Sequence, residues 1–310
     1  MSFFPAKDPV LGDTPSCDAI AQVIIPRTVD LGGFQVHRVL PSARQRMVGP
    51  FIFFDHMGPA VFRAGEGVDV RPHPHIGLST VTYLFDGEIV HRDSLGSALP
   101  IRPGAVNLMT AGRGIVHSER TAADHRDGGE PLHGLQLWVA LPVKEEEMAP
   151  GFAHTPAADI PGLRDGGLTL RVIAGKMHGL TSPVGTTWET IFAEAHLKAG
   201  ATLPIGAEHE ERALYVVAGE IDIAGDRHGA EKLLLLKPDD RIDVKSVSDA
   251  QKDAHVILVG GAPMDGPRHI WWNFVSSRKD RIEAAKADWK AGRFDLVPSD
   301  NKEFIPLPEK

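Results

Sequence analysis

The chain is poor in cysteine, aromatic residues and positive charge. Cys17 is the only cysteine among 310 residues, so no intramolecular disulfide can form, and the framework of a small secreted domain is excluded. Aromatic residues make up 6%, with two tyrosines. Lys plus Arg number 33 against 41 Asp plus Glu, a net charge of −8 that repels phosphate backbones and anionic lipid, so direct nucleic-acid or membrane-surface binding is not expected. No apolar run reaches the roughly 18 residues of a membrane span, and Met1 to Leu11, with Pro5, Lys7, Asp8 and Pro9, lacks the apolar stretch of a signal peptide. A cytoplasmic protein is the expectation. The 42% apolar and 24% charged residues fit an ordinary globular composition, and the length suits two domains.

Histidine, glycine and proline are plentiful at 15, 32 and 24. The glycines and prolines are scattered, which punctuates the chain into many short segments and predicts an all-β fold. Short β-branched or aromatic runs support it: Gln22 to Ile25, Phe34 to Leu40, Thr80 to Phe85, Glu88 to His91, Leu135 to Leu141, Leu168 to Ile173, Thr190 to His196, Leu214 to Val217, Lys232 to Leu236 and Val256 to Val259. One helix is expected near the end, from Arg278 to Ala291, capped by Ser276-Ser277 and stopped by Gly292, with Ile282, Ala285 and Trp289 on one face.

Two tandem β units are predicted from a weak repeat. Tyr83-x-x-x-Gly87-Glu88 returns as Tyr215-x-x-x-Gly219-Glu220, and Ile101-Arg-Pro103 returns as Leu236-Lys-Pro238, at nearly constant offset. The stretch from Pro142 to Leu163 is rich in proline and charge and reads as a linker. The expected division is an N-terminal metal-binding domain over 1–141, a linker over 142–165, and a metal-free C-terminal domain with the terminal helix over 166–310.

Chemistry concentrates in two pairs of residues. His73 and His75 flank Pro74 in Arg71-Pro72-His73-Pro74-His75, and in an extended segment positions i and i+2 share a face. His117 and Glu119 repeat that spacing in Gly112-Arg-Gly-Ile-Val-His117-Ser-Glu119. Brought together on adjacent strands, three imidazoles and one carboxylate suit iron, nickel, manganese, cobalt or zinc, and on an octahedral ion they leave two positions open. An isolated histidine is most often a surface or core residue making one hydrogen bond; the paired spacing is what favours ligation. Phosphate-binding and nucleophile-elbow motifs do not occur.

These residues resemble a known family. Gly67, His73-x-His75, Tyr83 and Gly87 resemble the first motif of the cupins. His73-Pro-His75 with Met109-Thr-Ala-Gly-Arg-Gly-Ile-Val-His117-Ser-Glu119 resembles the pirins, as do Phe54-Asp-His-Met-Gly-Pro59, His91-Arg-Asp-Ser94 and Gly134-Leu-Gln-Leu-Trp138. The resemblance implies two tandem cupin (jelly-roll) β-barrels with a short C-terminal helix, and a single divalent metal, Fe(II), held by His73, His75, His117 and Glu119. It also implies a quercetin 2,3-dioxygenase-type oxidoreductase that cleaves a flavonol with dioxygen and releases carbon monoxide, with Glu119 as the catalytic base. The alternative it carries is an iron-containing redox-sensing regulator acting through a protein partner. Phe53, Phe54 and Met57 are candidate pocket walls; His56, His91, His125 and His133 are candidate supports for the ligands. Ser79 stands where the family pattern has glutamate, which bears on substrate choice rather than on metal binding. In the second unit only His209 lies near a corresponding position.

Overall fold

A computed structural model describes residues 19–30, 34–239, 241–247 and 253–309; Cys17 lies outside them. The fold is all-β, with one α-helix, Lys279–Lys290, among the described residues. No described helix is long and apolar enough to cross a membrane.

The chain forms two compact units, and each contains a seven-stranded and a four-stranded antiparallel sheet. In the first-half unit the larger sheet runs, edge to edge, Gly151–Thr155, Val106–Thr110, Leu78–Gly87, Pro131–Ala140, Phe51–Val61, Gln35–Leu40 and Arg27–Asp30. The smaller runs Asp69–His75, Ile115–Arg120, Ile89–Asp93 and Ala98–Ile101. In the second-half unit the larger sheet runs Ile20–Ile24, Lys232–Leu236, Glu211–Ala218, Ala254–Gly261, Thr190–Leu197, Leu168–Ala174 and Gly162–Asp165, and the smaller runs Thr202–Ile205, Ile242–Ser246, Glu220–Ile223 and Asp226–Gly229. The strand orders match one for one, so the duplication read from the Tyr-x-x-x-Gly-Glu pattern is present. Gly87 and Gly219 end equivalent strands with positive φ, where a Cβ would be strained. The second match behind that reading falls on unlike elements: Ile101 closes an outer strand of a small sheet, whereas Leu236 closes a strand of a large one.

The units do not follow the expected 1–141, 142–165 and 166–310 division. Among the described residues, 264–309 group with 27–30 and 34–160, and 19–26 group with the second half. Hydrogen bonding is the cause. Ile20–Ile24 pairs with Lys232–Leu236 as an edge strand, the place that Gly151–Thr155 fills in the first-half unit. The segment expected to be a linker includes two strands, Gly151–Thr155 and Gly162–Asp165.

The helix differs from expectation at its start. Ser276 and Ser277 do not cap it; both hydroxyls bond the Glu146 carboxylate, at 2.9 and 3.0 Å, and the helix begins after Arg278 without a side-chain cap. Ile282 and Ala285 are buried with Ile76 and Phe274, against which Trp289 packs, and Gly292 ends the turn at positive φ.

Candidate metal centre

The two sequence pairs meet because their strands are antiparallel neighbours. His117 lies directly across from His73, and a bulge then sets Glu119 opposite Val70. His73, His75 and His117 are buried, and their candidate ligand atoms lie within 4.8 Å of one another.

The hydrogen bonds around the rings fix which nitrogen faces inward. His73 Nδ1 lies 2.9 Å from the Arg71 carbonyl oxygen, and His75 Nδ1 lies 3.1 Å from that of Asn273. A carbonyl only accepts, so each Nδ1 carries the proton and each Nε2 presents a lone pair. His117 reaches the same state through a relay. Asp93 Oδ2 lies 3.0 Å from His91 Nε2, which therefore donates, leaving His91 Nδ1 to accept from His117 Nδ1 at 3.4 Å. His91 and Asp93 are themselves buried, and the His91 ring stacks on Phe152. Burial opposes the Asp93 charge, but hydrogen bonds from His91 and Ser97 hold its carboxyl below the usual carboxylate range.

The three inward nitrogens are all acceptors, and His75 Nε2 and His117 Nε2 stand 3.1 Å apart. Two lone pairs at that distance repel unless they share a cation, and 3.1 Å suits neighbouring donors on one ion with bonds of about 2.1 Å. Burial lowers the proton affinity of all three: His73 falls to about 4, and His75 and His117 fall well below 6.5, with neighbouring imidazoles adding to the effect. At neutral pH the rings are uncharged, the form that ligates. The residues present thus fit a divalent transition metal.

Glu119 shares the cavity but stands outside the three-imidazole group. Thr82 Oγ1 lies 3.2 Å from Glu119 Oε1 and 2.9 Å from Gln136 Oε1, so its single proton serves one of them at a time. Burial raises the Glu119 carboxyl above its ordinary value, against the pull of His91 and Thr82. That shift makes its carboxylate a stronger proton acceptor than a carboxylate in water.

A cavity of about 340 Å³ opens over the histidines, within the range of roughly 300–1,000 Å³ usual for small-molecule sites. Phe53 and Met57 line it, as expected. Phe54 does not; strand alternation turns it into the core and brings Asp55 to the cavity instead. Phe53 stacks on Trp138 with centroids 4.1 Å apart, and Arg38 forks onto Asp55 at 2.8 and 2.7 Å while lying over the Phe53 ring. Sequence reading missed Arg38, Asp55, Gln136, Trp272 and Asn273, which also line the cavity. Of the four supporting histidines proposed, His91 is at the site. His56 and His133 bond each other at 2.9 Å, and His125 lies 3.7 Å from Glu88. Ser79 bonds Thr110 at 2.9 Å.

In the second-half unit, the strands equivalent to those bearing the histidines carry Leu203-x-Ile205 and Ile242-x-Val244, all four within the apolar core. His209 is engaged at both nitrogens, by Glu189 at 3.0 Å and the Lys176 carbonyl at 3.2 Å.

Comparison with known proteins agrees with this architecture. Residues 33–139 match the family profile described as Pirin, and residues 192–295 match the Pirin C-terminal cupin domain. A pirin-like protein of Caulobacter vibrioides is 50% identical over 91% of this chain and 97% of its own length. A Pseudomonas aeruginosa protein provisionally named quercetin 2,3-dioxygenase is 37% identical over 94% of this chain and 92% of its own length. A crystal structure of quercetin 2,3-dioxygenase from Acinetobacter baumannii superimposes with a TM-score of 0.85 at 34% identity, covering 93% of this chain and 96% of that one.

Proposed function

Since the chain belongs to the pirin family of the cupin superfamily, we propose that its cavity is the active site of an iron-dependent dioxygenase that opens the ring of a flavonol such as quercetin and releases carbon monoxide. The observation that carries this reading is the convergence of three neutral, inward-facing Nε2 atoms on one wall of a cavity that also holds a buried carboxyl. Relatives that bear the quercetin dioxygenase name support the substrate class.

His73, His75, His117 and Glu119 would hold the metal. When bound, ferrous iron supplies an electron-transferring centre with open positions that orients the substrate oxygens and dioxygen together. The chain's own residues do the rest. The apolar walls, Phe53 and Trp138 foremost, take the flat rings of the substrate and exclude water. Glu119 swings toward the flavonol and its carboxylate oxygen accepts the hydroxyl proton, giving the electron-rich anion that reacts with oxygen. Thr82 and Gln136 receive the displaced carboxyl within hydrogen-bond reach of the cavity.

The test is oxygen consumption and carbon monoxide release by iron-loaded protein given quercetin. Wild type is expected to release carbon monoxide, and Glu119→Gln, compared at matched iron occupancy, to lose at least 100-fold in rate, the order of a general base's contribution. Fully loaded wild type that releases none overturns the reading and favours the regulatory alternative.

A further inference from the structure

The large sheet of the second-half unit carries a side-chain cluster that the proposed function does not use. Glu194 and His196 stand two apart on Thr190–Leu197, so they project from one face, and His255 lies directly across from His196 on Ala254–Gly261. This is the face opposite the barrel interior, which Ala193, Ala195, Leu197, Ala254, Val256 and Leu258 fill. One carboxylate oxygen, Glu194 Oε1, lies 3.0 Å from His255 Nε2 and 3.4 Å from His196 Nε2. The two rings are stacked, with centroids 4.1 Å apart and 18° between planes. Glu194 and His255 are buried, whereas the His196 side chain is 52% exposed.

We propose that Glu194, His196 and His255 form a second metal site, for a divalent ion of the zinc class, on the outer face of this sheet. Two imidazoles and one carboxylate are the donor set of zinc, nickel and copper; calcium and magnesium take oxygen alone. The three candidate atoms lie within 4.8 Å of one another, and separations of 3.0 and 3.4 Å suit neighbouring ligands with bonds of about 2.0–2.2 Å. Three protein donors with one exposed ring leave the fourth tetrahedral position to water. The backbone is set in advance, because the strands bearing the ligands are paired through eight consecutive registered positions. Binding requires that each imidazole present an Nε2 lone pair, its proton moving to Nδ1 or to solvent, and that the half-exposed His196 ring turn out of the stack so that the two lone pairs converge. Arg171 sits across from Glu194 on Leu168–Ala174, and its positive charge predicts weaker binding than in the interior centre.

The competing description is a carboxylate that accepts hydrogen bonds from two neutral rings and binds no ion. The full chain, stripped with chelator and dialysed at neutral pH against zinc chloride, distinguishes the two by atomic absorption. Wild type is expected to retain two equivalents of zinc, His196→Asn and His255→Asn one each, and His75→Ala one. His196→Asn alters a half-exposed ring, and an unchanged melting temperature of its zinc-free form shows that the loss is local. Wild-type stoichiometry in both His196→Asn and His255→Asn overturns the proposal. Should the interior centre take no zinc, wild type retains one equivalent that His196→Asn abolishes and His75→Ala does not; that outcome upholds this site and counts against the other.

Discussion

At the scale of single residues, Asp93 reaches the metal centre without touching it. Its carboxylate sets the His91 tautomer, His91 sets that of His117, and His117 Nε2 faces inward as a consequence. Asp93→Asn removes the charge that holds this order. It is expected to weaken metal binding about 10- to 100-fold, the usual range for supporting partners of ligating histidines; competition against a chromophoric chelator measures it, and wild-type affinity would refute the relay. A second expectation concerns pH. In the metal-free chain His73, His75 and His117 bind protons less readily than in the unfolded state, so their contribution to stability is complete above their ordinary value of 6.5. It is lost as pH falls from there, with His73 ceasing to add to the slope below about 4, where the folded state takes up that proton too. Urea midpoints recorded between neutral pH and pH 4 are expected to fall for wild type and to fall less for His73→Ala. The convergence of His73, His75 and His117 was legible because spacing two on a strand has one geometric meaning, whereas Glu119 stands outside their group. Arg38, Asp55 and Asn273 were not legible, since each is a lone residue whose approach to the cavity depends on folding rather than on a local pattern.

At the scale of elements, the corner before the helix hangs on one acid. Glu146 accepts from Ser276, from the Ser277 backbone and hydroxyl, and from Arg268, a side chain with no exposed surface. Glu146→Ala leaves Ser276 and Ser277 without their acceptor and the buried guanidinium with only Asp265 and carbonyl oxygens, a loss of about 1–3 kcal/mol. Chemical denaturation is expected to show that loss, while Glu147→Ala, which removes a mostly exposed carboxylate from Arg281, is expected to cost under about 1 kcal/mol. The serines looked like a helix cap because short hydroxyl residues before a periodic segment usually are; a distant buried carboxylate outcompeted the helix for them. Strand prediction had a similar limit. Phe51–Val61 escaped notice because its first seven residues are buried on both faces and include Asp55 and His56, so no alternation marks it.

At the scale of the molecule, duplication was legible and its boundaries were not. A repeat in turn chemistry survives in sequence, whereas the placement of an edge strand is decided by which open sheet edge it meets. Ile20–Ile24 covers Lys232–Leu236, a run with four consecutive leucines. Deleting residues 1–26 is expected to bare that edge and drive concentration-dependent association, read by light scattering. A truncated chain that stays monomeric and melts like wild type would show the strand to be dispensable.

The same pairing has a temporal side. Ile20 finds Leu236 only after more than two hundred further residues have left the ribosome, and Gly77, whose φ is positive, packs against the Val275 carbonyl so closely that a Cβ there would sit 2.0 Å from its oxygen. Each unit is thus completed by a segment from outside its own half of the chain, so the first-half unit waits for residues beyond 264 and Ile20–Ile24 waits for Lys232–Leu236. The nascent chain must therefore keep Ile20–Ile24 from straying until its partner strand Lys232–Leu236 is made.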